Sequence, residues 1–113
     1  MVKAYIPEKG DLVWLEFSPQ AGHEQMGRRP GLVVSGKLFN SASGMCLVCP
    51  ITNTKRVNPF RIDLAGKVSL TGFIMVDQVK SLDFKARNMK FIESASKEVL
   101  SDVLGLLDAI IFQ

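Results

Sequence analysis

Asp11-Leu-Val-Trp-Leu-Glu-Phe17 is rich in β-forming residues and stops at Ser18-Pro19, which reads as a strand. Outward from it, Gly31-Leu-Val-Val-Ser35 reads as a second strand and Met45 to Ile51 as a third. Phe60 to Leu64 reads as a fourth, Phe73-Ile-Met-Val76 as one running on into Gln78 to Leu82, and Lys90 to Ile92 as a last short one. Short helical turns are expected at Lys37 to Ser43 and Phe84 to Arg87, and a turn region at Lys67 to Gly72. Gln20 to Pro30 is polar, with Gly22, Gly27 and Pro30 breaking any periodicity. It reads as a loop of about ten residues, a length that points to a functional role. Thr52 to Asn58 is a second polar loop.

Towards the end the period changes. Val99, Leu100, Val103, Leu104, Leu107, Ile110 and Ile111 recur every three or four residues, the mark of an amphipathic helix. Ser96 is placed to cap it, and Glu98 in the first turn suits the positive end of its dipole. Its apolar face must cover a sheet or a partner, because an isolated helix of this length is marginal in water. Many short strands followed by one helix predict a mainly β, α+β fold: a small barrel closed by a C-terminal helix. No repeat, low-complexity tract or linker interrupts residues 1–113, which read as a single domain.

Composition narrows the class. A 47% hydrophobic chain of 113 residues can bury a core, and 22% charge with seven Phe argues against disorder. The net charge of +3 is compatible with a polyanionic partner. No apolar run approaches the roughly 18 residues of a membrane span, and the first ten residues lack a long apolar signal segment. A cytoplasmic protein without membrane association is expected. Cys46 and Cys49 share a strand and read as reduced core residues. Zinc needs about four ligands, and the chain has one His, so neither metal nor cofactor is expected.

The two polar loops carry the chemistry. One holds His23, Glu24, Arg28 and Arg29, the other Thr52, Asn53, Thr54, Lys55 and Arg56. In a small barrel such loops can meet at one end, gathering cations, an imidazole, a carboxylate and hydroxyls. Those are the groups that bind a phosphodiester and move protons around it.

Gly10-Asp-Leu-Val-Trp-Leu15, Phe17-Ser-Pro-Gln-Ala-Gly-His-Glu-Gln-Met-Gly-Arg-Arg-Pro30 with Val33-Val34, Pro50-Ile-Thr52 and Asp77-Gln-Val79 follow in order along nearly the whole chain. Together they resemble the MazF/PemK/Kid family of toxin endoribonucleases. The specific mark is Gly22-x-Glu-Gln-x-Gly-x-Arg-Pro30. Gly44-Met-Cys-Leu47 resembles the MazF branch, whereas Ala21-Gly-His-Glu-Gln25 resembles the Kid/PemK branch, which carries a His there. The resemblance implies an SH3-like, CcdB/PemK-like barrel, a homodimer, and a cognate antitoxin that blocks the site. It implies metal-independent cleavage of single-stranded RNA at short sequences, with the ribose 2′-hydroxyl attacking the adjacent phosphate. The products would be a 2′,3′-cyclic phosphate and a 5′-hydroxyl.

Residue by residue, Arg29 matches the family's catalytic arginine; its permanently charged donors suit phosphoryl oxygens, and the alternative is a surface ion pair. Thr52 matches the threonine whose hydroxyl donates to the same oxygens, or else it caps the turn after its strand. Glu24 is a base or orients Arg29. His23 transfers a proton near neutral pH or is an exposed loop histidine. The Kid-like arginine two residues before Asp77 is replaced by Met75, so Arg29 would supply the missing cation. Arg28, Asn40, Lys55, Arg56 and Gln78 are candidate RNA contacts, and Asp77 is either a contact or structural. Trp14 reads as core rather than as a stacking platform.

Two other classes share such a barrel. A non-catalytic CcdB-like toxin would grip DNA gyrase with its C-terminal helix, but Leu107-Asp-Ala-Ile-Ile-Phe-Gln113 suits packing better. A peptide-binding adaptor would need an exposed aromatic groove, and the chain has one Trp and one Tyr.

Overall fold

The structure, a computed structural model, describes residues 4–17, 27–56 and 58–113. Its strands are β1 (Asp11–Glu16), β2 (Arg28–Val33), β3 (Met45–Thr52), β4 (Arg61–Asp63), β5 (Phe73–Met75), β6 (Lys80–Asp83) and β7 (Lys90–Ser94). Helix α1 (Lys37–Ser43) joins β2 to β3, and α2 (Lys97–Phe112) follows β7. The strands form one antiparallel sheet in the order β4-β5-β3-β2-β1-β7, with β6 also paired to β3. The turn between β4 and β5 is bonded back to β7, Ser69 N–H donating to Glu93 Oε1 at 3.0 Å. The two ends of the strand path are thereby drawn together, curling the sheet into a barrel.

β3 is the axis of this arrangement. Its side chains alternate, as the pleat requires. Cys46 and Val48 enter one core with Val13, Leu15, Phe17 and Val33. Cys49 and Ile51 enter the other with Leu12, Leu32, Leu64, Ile74 and Val76. α2 covers the second core, burying Val99 and Val103. Each such side chain contributes roughly 1.5 kcal/mol or more by leaving water. Ser96 caps α2 as expected, its side chain accepting from Val99 N–H at 3.2 Å. The last turn of α2 departs from the expected packing, for Ile110, Ile111 and Phe112 are exposed.

Three further expectations are corrected. The segment read as one strand from Phe73 to Leu82 is broken by a 3₁₀ turn at Val76–Gln78. The turn sinks Val76 into the core and bonds its N–H to Phe60 O at 3.0 Å, tying β5 to the β4 side. Arg28 to Pro30 are not loop but the start of β2, because they pair with Glu16, Leu15 and Trp14. Trp14 is not core: it is 38% exposed. It shares a face with Leu12, but its cross-strand neighbours are Pro30 and Lys90, and it lines a surface depression.

Asn40 is the one fully buried residue of α1. Its amide donates to Pro7 O at 2.8 Å and Ser35 O at 3.1 Å, and its carbonyl accepts from Ser35 Oγ at 2.5 Å. Ser35 Oγ in turn accepts from Leu47 N–H at 2.8 Å. The network pins α1, the residues before β1 and β3 to one another. Tyr5 adds a second clasp, its hydroxyl donating to Asp11 Oδ2 at 2.5 Å. Burial and the Asp11 carboxylate hold the phenol far above its ordinary range.

Both cysteines are free and buried, as expected, on opposite faces of β3. Burial pushes Cys46 up to about 12 and Cys49 up to about 12, the Asp77 charge adding to the latter. A thiol that ionises near 9.0 when unfolded and about 12 when folded stabilises the fold fully below pH 9. That contribution is lost as pH rises from 9 towards 12. Native protein should therefore resist iodoacetamide at pH 8 and react after unfolding in urea. The alkaline fall of the urea midpoint should flatten in a Cys46→Ala/Cys49→Ala variant; an equally steep fall would assign it to other groups.

Candidate active site

β2 and β3 run antiparallel with Gly31 opposite Pro50, Leu32 opposite Cys49 and Val33 opposite Val48. Extending that register by two residues brings Arg29 opposite Thr52, and the pleat turns both to the same face, the one shared with Val33 and Val48. The ladder closes tightly just before them. A Cβ on Gly31 would stand 2.5 Å from Val48 Cγ1 and 3.2 Å from Cys49 O, so only glycine lets the strands approach this far. On the other side, Thr52 pairs with Phe73 of β5. Gly72, at φ +123°, lies so close that a Cβ would come within 2.8 Å of Thr52 O.

Two depressions meet at this pair, and Arg29, Thr52 and Thr54 line both. The larger, about 700 Å³, is also lined by Arg56, Arg61, Lys80, Gln78, Phe17 and Pro50. It is cationic, with no carboxylate on its wall among the described residues. Lys80 Nζ lies 5.9 Å from the centroid of Phe17, which steadies it by a cation–π contact. The smaller, about 470 Å³, is lined by Trp14, Pro30, Ile51 and Leu70, with Arg28, Asn53 and Thr71. One side thus suits phosphates, and the other offers apolar and amide groups to bases.

The Arg29 guanidinium has no hydrogen-bond or ion-pair partner among the described residues, so its donors are uncommitted. Thr52 Oγ1 accepts from Thr54 N–H at 3.2 Å, which leaves its own proton to donate elsewhere. A charged fork and a hydroxyl donor on one face can together hold the oxygens of a phosphodiester as charge develops on them.

The other expected residues are distributed unevenly. Arg56 and Gln78 line the cationic cleft. Lys55 is exposed on the same loop as Arg56, and Asp77 is exposed beside Gln78. Arg28 lines the smaller depression and is already engaged, donating to Asn88 O at 2.9 Å with Glu16 Oε1 at 3.9 Å. Asn40 is corrected: it has no exposed surface and all its polar atoms are bonded within the fold, so it is not an RNA contact. His23 and Glu24 lie outside the described residues. Arg61 and Lys80 were not anticipated. Neither belongs to a motif; only the pairing of β4 with β5 and of β6 with β3 brings them to the cleft.

Known proteins share this architecture. The family described as PemK-like, MazF-like toxins of type II toxin–antitoxin systems matches residues 8–111. The endoribonuclease toxin MazF of Escherichia coli (strain K12) is 36% identical over 111 residues, covering 98% of this chain and 99% of its own. A crystal structure of MazF from Deinococcus radiodurans has a TM-score of 0.88 and 38% identity, over 97% of this chain and 100% of that one. A MazE–MazF crystal structure from the same organism has a TM-score of 0.85 and 39% identity, over 96% of this chain and 97% of that one.

Gly31→Ala should force Val48 or the strand to move and lower stability by roughly 1–3 kcal/mol. Urea denaturation reads this, and an unchanged midpoint would mean that β2 and β3 do not approach as closely as described.

Proposed function

The chain belongs to the PemK-like, MazF-like toxins of type II toxin–antitoxin systems, and on that premise we propose that it is the toxin of such a system, with residues 1–113 acting as one toxin domain. It is an endoribonuclease that cuts single-stranded messenger RNA at a short sequence in the cytoplasm, inhibiting translation and growth. The observation that supports this reading most directly is the juxtaposition of Arg29 and Thr52 where a cationic cleft meets a second depression that carries Trp14.

In the reaction the RNA supplies its own nucleophile. A base takes the proton of the 2′-hydroxyl, the 2′-oxygen bonds to the adjacent phosphorus, and the bond to the 5′-oxygen breaks as that oxygen gains a proton. A 2′,3′-cyclic phosphate and a 5′-hydroxyl remain. Arg29 stabilises the charge on the phosphoryl oxygens and orients the leaving oxygen, and the Thr52 hydroxyl donates to the same oxygens. Glu24 and His23 are the two candidates for the base, Glu24 serving otherwise to orient Arg29. Arg56, Lys55 and Arg28 hold flanking phosphates, while Gln78 and Asp77 contact base edges. No step calls for a metal ion or a cofactor.

The toxin acts as a homodimer. Its partner in the cell is a cognate antitoxin, a reading supported by the MazE–MazF complex of a similar chain. A carboxylate-bearing antitoxin segment would compete with RNA for the cationic cleft. The gyrase-binding reading is not carried forward, since the similar proteins are named endoribonucleases and α2 spends Val99 and Val103 on the core.

Purified protein incubated with a long single-stranded RNA in EDTA should give discrete cuts with 5′-hydroxyl ends. Arg29→Ala should slow cutting about 100-fold or more with the fold intact by circular dichroism. RNA left whole by the folded wild type would overturn the ribonuclease reading; activity lost in EDTA and restored by Mg²⁺ would overturn metal independence.

A further inference from the structure

Arg61 opens β4, opposite Met75 of β5, and its side chain reaches the wall of the cationic cleft. There its Nη1 donates to Thr54 O at 3.3 Å. Thr54 is also the residue whose N–H donates to Thr52 Oγ1 at 3.2 Å. Both backbone groups of Thr54 are thus committed, the carbonyl to Arg61 and the N–H to the threonine of the site. Three residues form a relay from a strand on the far side of β5 to the hydroxyl that faces the cleft.

Two further features mark Arg61 as more than a surface cation. No carboxylate lies within ion-pair reach of it among the described residues. Its Nε is buried without a hydrogen-bond partner among those same residues. A sequestered donor left unmet is unfavourable by itself, and with no carboxylate in reach among the described residues the guanidinium is not placed there by ion pairing. Of its described contacts, the one with a direction is that to Thr54 O, and this contact bears on the hydroxyl two residues earlier.

A threonine hydroxyl turns freely unless an acceptor or donor fixes it. The Thr54 N–H occupies a lone pair of Thr52 Oγ1 and so restricts where the hydroxyl proton points. The Thr54 N–H and C=O lie in successive peptide units joined at its Cα, so that restriction holds only while the backbone dihedrals of Thr54 are held, in an exposed polar loop. We propose that Arg61 is a positioning residue: by clamping the Thr54 carbonyl it fixes the Thr54 N–H on Thr52 Oγ1 and so aims the Thr52 hydroxyl at the phosphoryl oxygen. The proposal rests on the ribonuclease reading for its consequence in catalysis, but the clamp itself is a property of the free protein.

Arg61→Met keeps the length of the side chain and removes its donors. Its Thr54 amide proton should take on the steep NMR temperature coefficient of a free amide. In single-turnover and steady-state cleavage, kcat should fall about tenfold, the scale of one hydrogen bond. With Thr52→Val already present, adding Arg61→Met should change kcat less than about twofold, because the hydroxyl it aims is gone. Arg61→Lys, which keeps a donor, should hold kcat within about threefold of wild type and covers the case in which the Met variant does not fold. An unchanged Thr54 amide in Arg61→Met, an equal loss of kcat with and without the Thr52 hydroxyl, or a Lys variant as slow as Met would each overturn the proposal. A wild type that cuts no RNA would sink the ribonuclease reading alone, and the Thr54 amide would still decide the clamp.

Discussion

The close approach of β2 to β3 at Gly31 is the constraint on which the rest of this structure depends. A side chain there would collide with Val48, so the two strands meet only because residue 31 has none. The resulting register sends Leu32 and Cys49 into one core and Val33 and Val48 into the other. Because side chains alternate with a period of two, a slip of one residue would send each set into the other core, against neighbours it does not fit. The same register carries Arg29 and Thr52 to the rim on one face, so the folding requirement and the site requirement coincide in a few residues of ladder.

Beyond that ladder the barrel divides its labour. α2 seals one core, and Tyr5 and Ile6, tied down through Asp11, pack against the other. The rim left between them is where strands end, and there Arg29 keeps its guanidinium without a partner among the described residues. Cations gather on one side of Arg29 and Thr52, and Trp14, Pro30 and Leu70 on the other. A polyanion with stacked bases fits such a boundary: its charges face guanidinium and ammonium groups while its rings can leave water against Trp14, Pro30 and Leu70. Thr52 is fixed from three directions, by pairing with Phe73, by the approach of Gly72 and by the Thr54 N–H. Arg29 is left free to meet what enters.

Much of this was legible in the residues. The β-rich runs located most of the strands, and the three- and four-residue spacing after Ser96 located α2 with its cap. The Gly22 to Pro30 signature and Pro50-Ile-Thr52 singled out Arg29 and Thr52, which the fold brings onto one cleft. Other features depended on distant pairing. Asn40 looks like a polar contact residue until the fold bonds its amide to Ser35 and Pro7. Trp14 looks like core because its strand is apolar, yet its neighbours in the sheet are Pro30 and Lys90. Arg61 belongs to no motif and gains its place only when β4 pairs with β5. The 3₁₀ turn at Val76 to Gln78 was hidden within an apolar run that is indistinguishable locally from a continuous strand.

The central claim is that the RNA's own 2′-hydroxyl attacks the phosphate held by Arg29 and Thr52. The most direct measurement compares a short RNA containing the mapped cut site with the same strand carrying a single 2′-deoxy sugar at the nucleotide before the cleaved bond. The account predicts that both strands bind with Kd values within a few-fold and that the deoxy strand is not cut there. Cleavage of the deoxy strand at the same bond would contradict it, for another nucleophile would then be doing the chemistry.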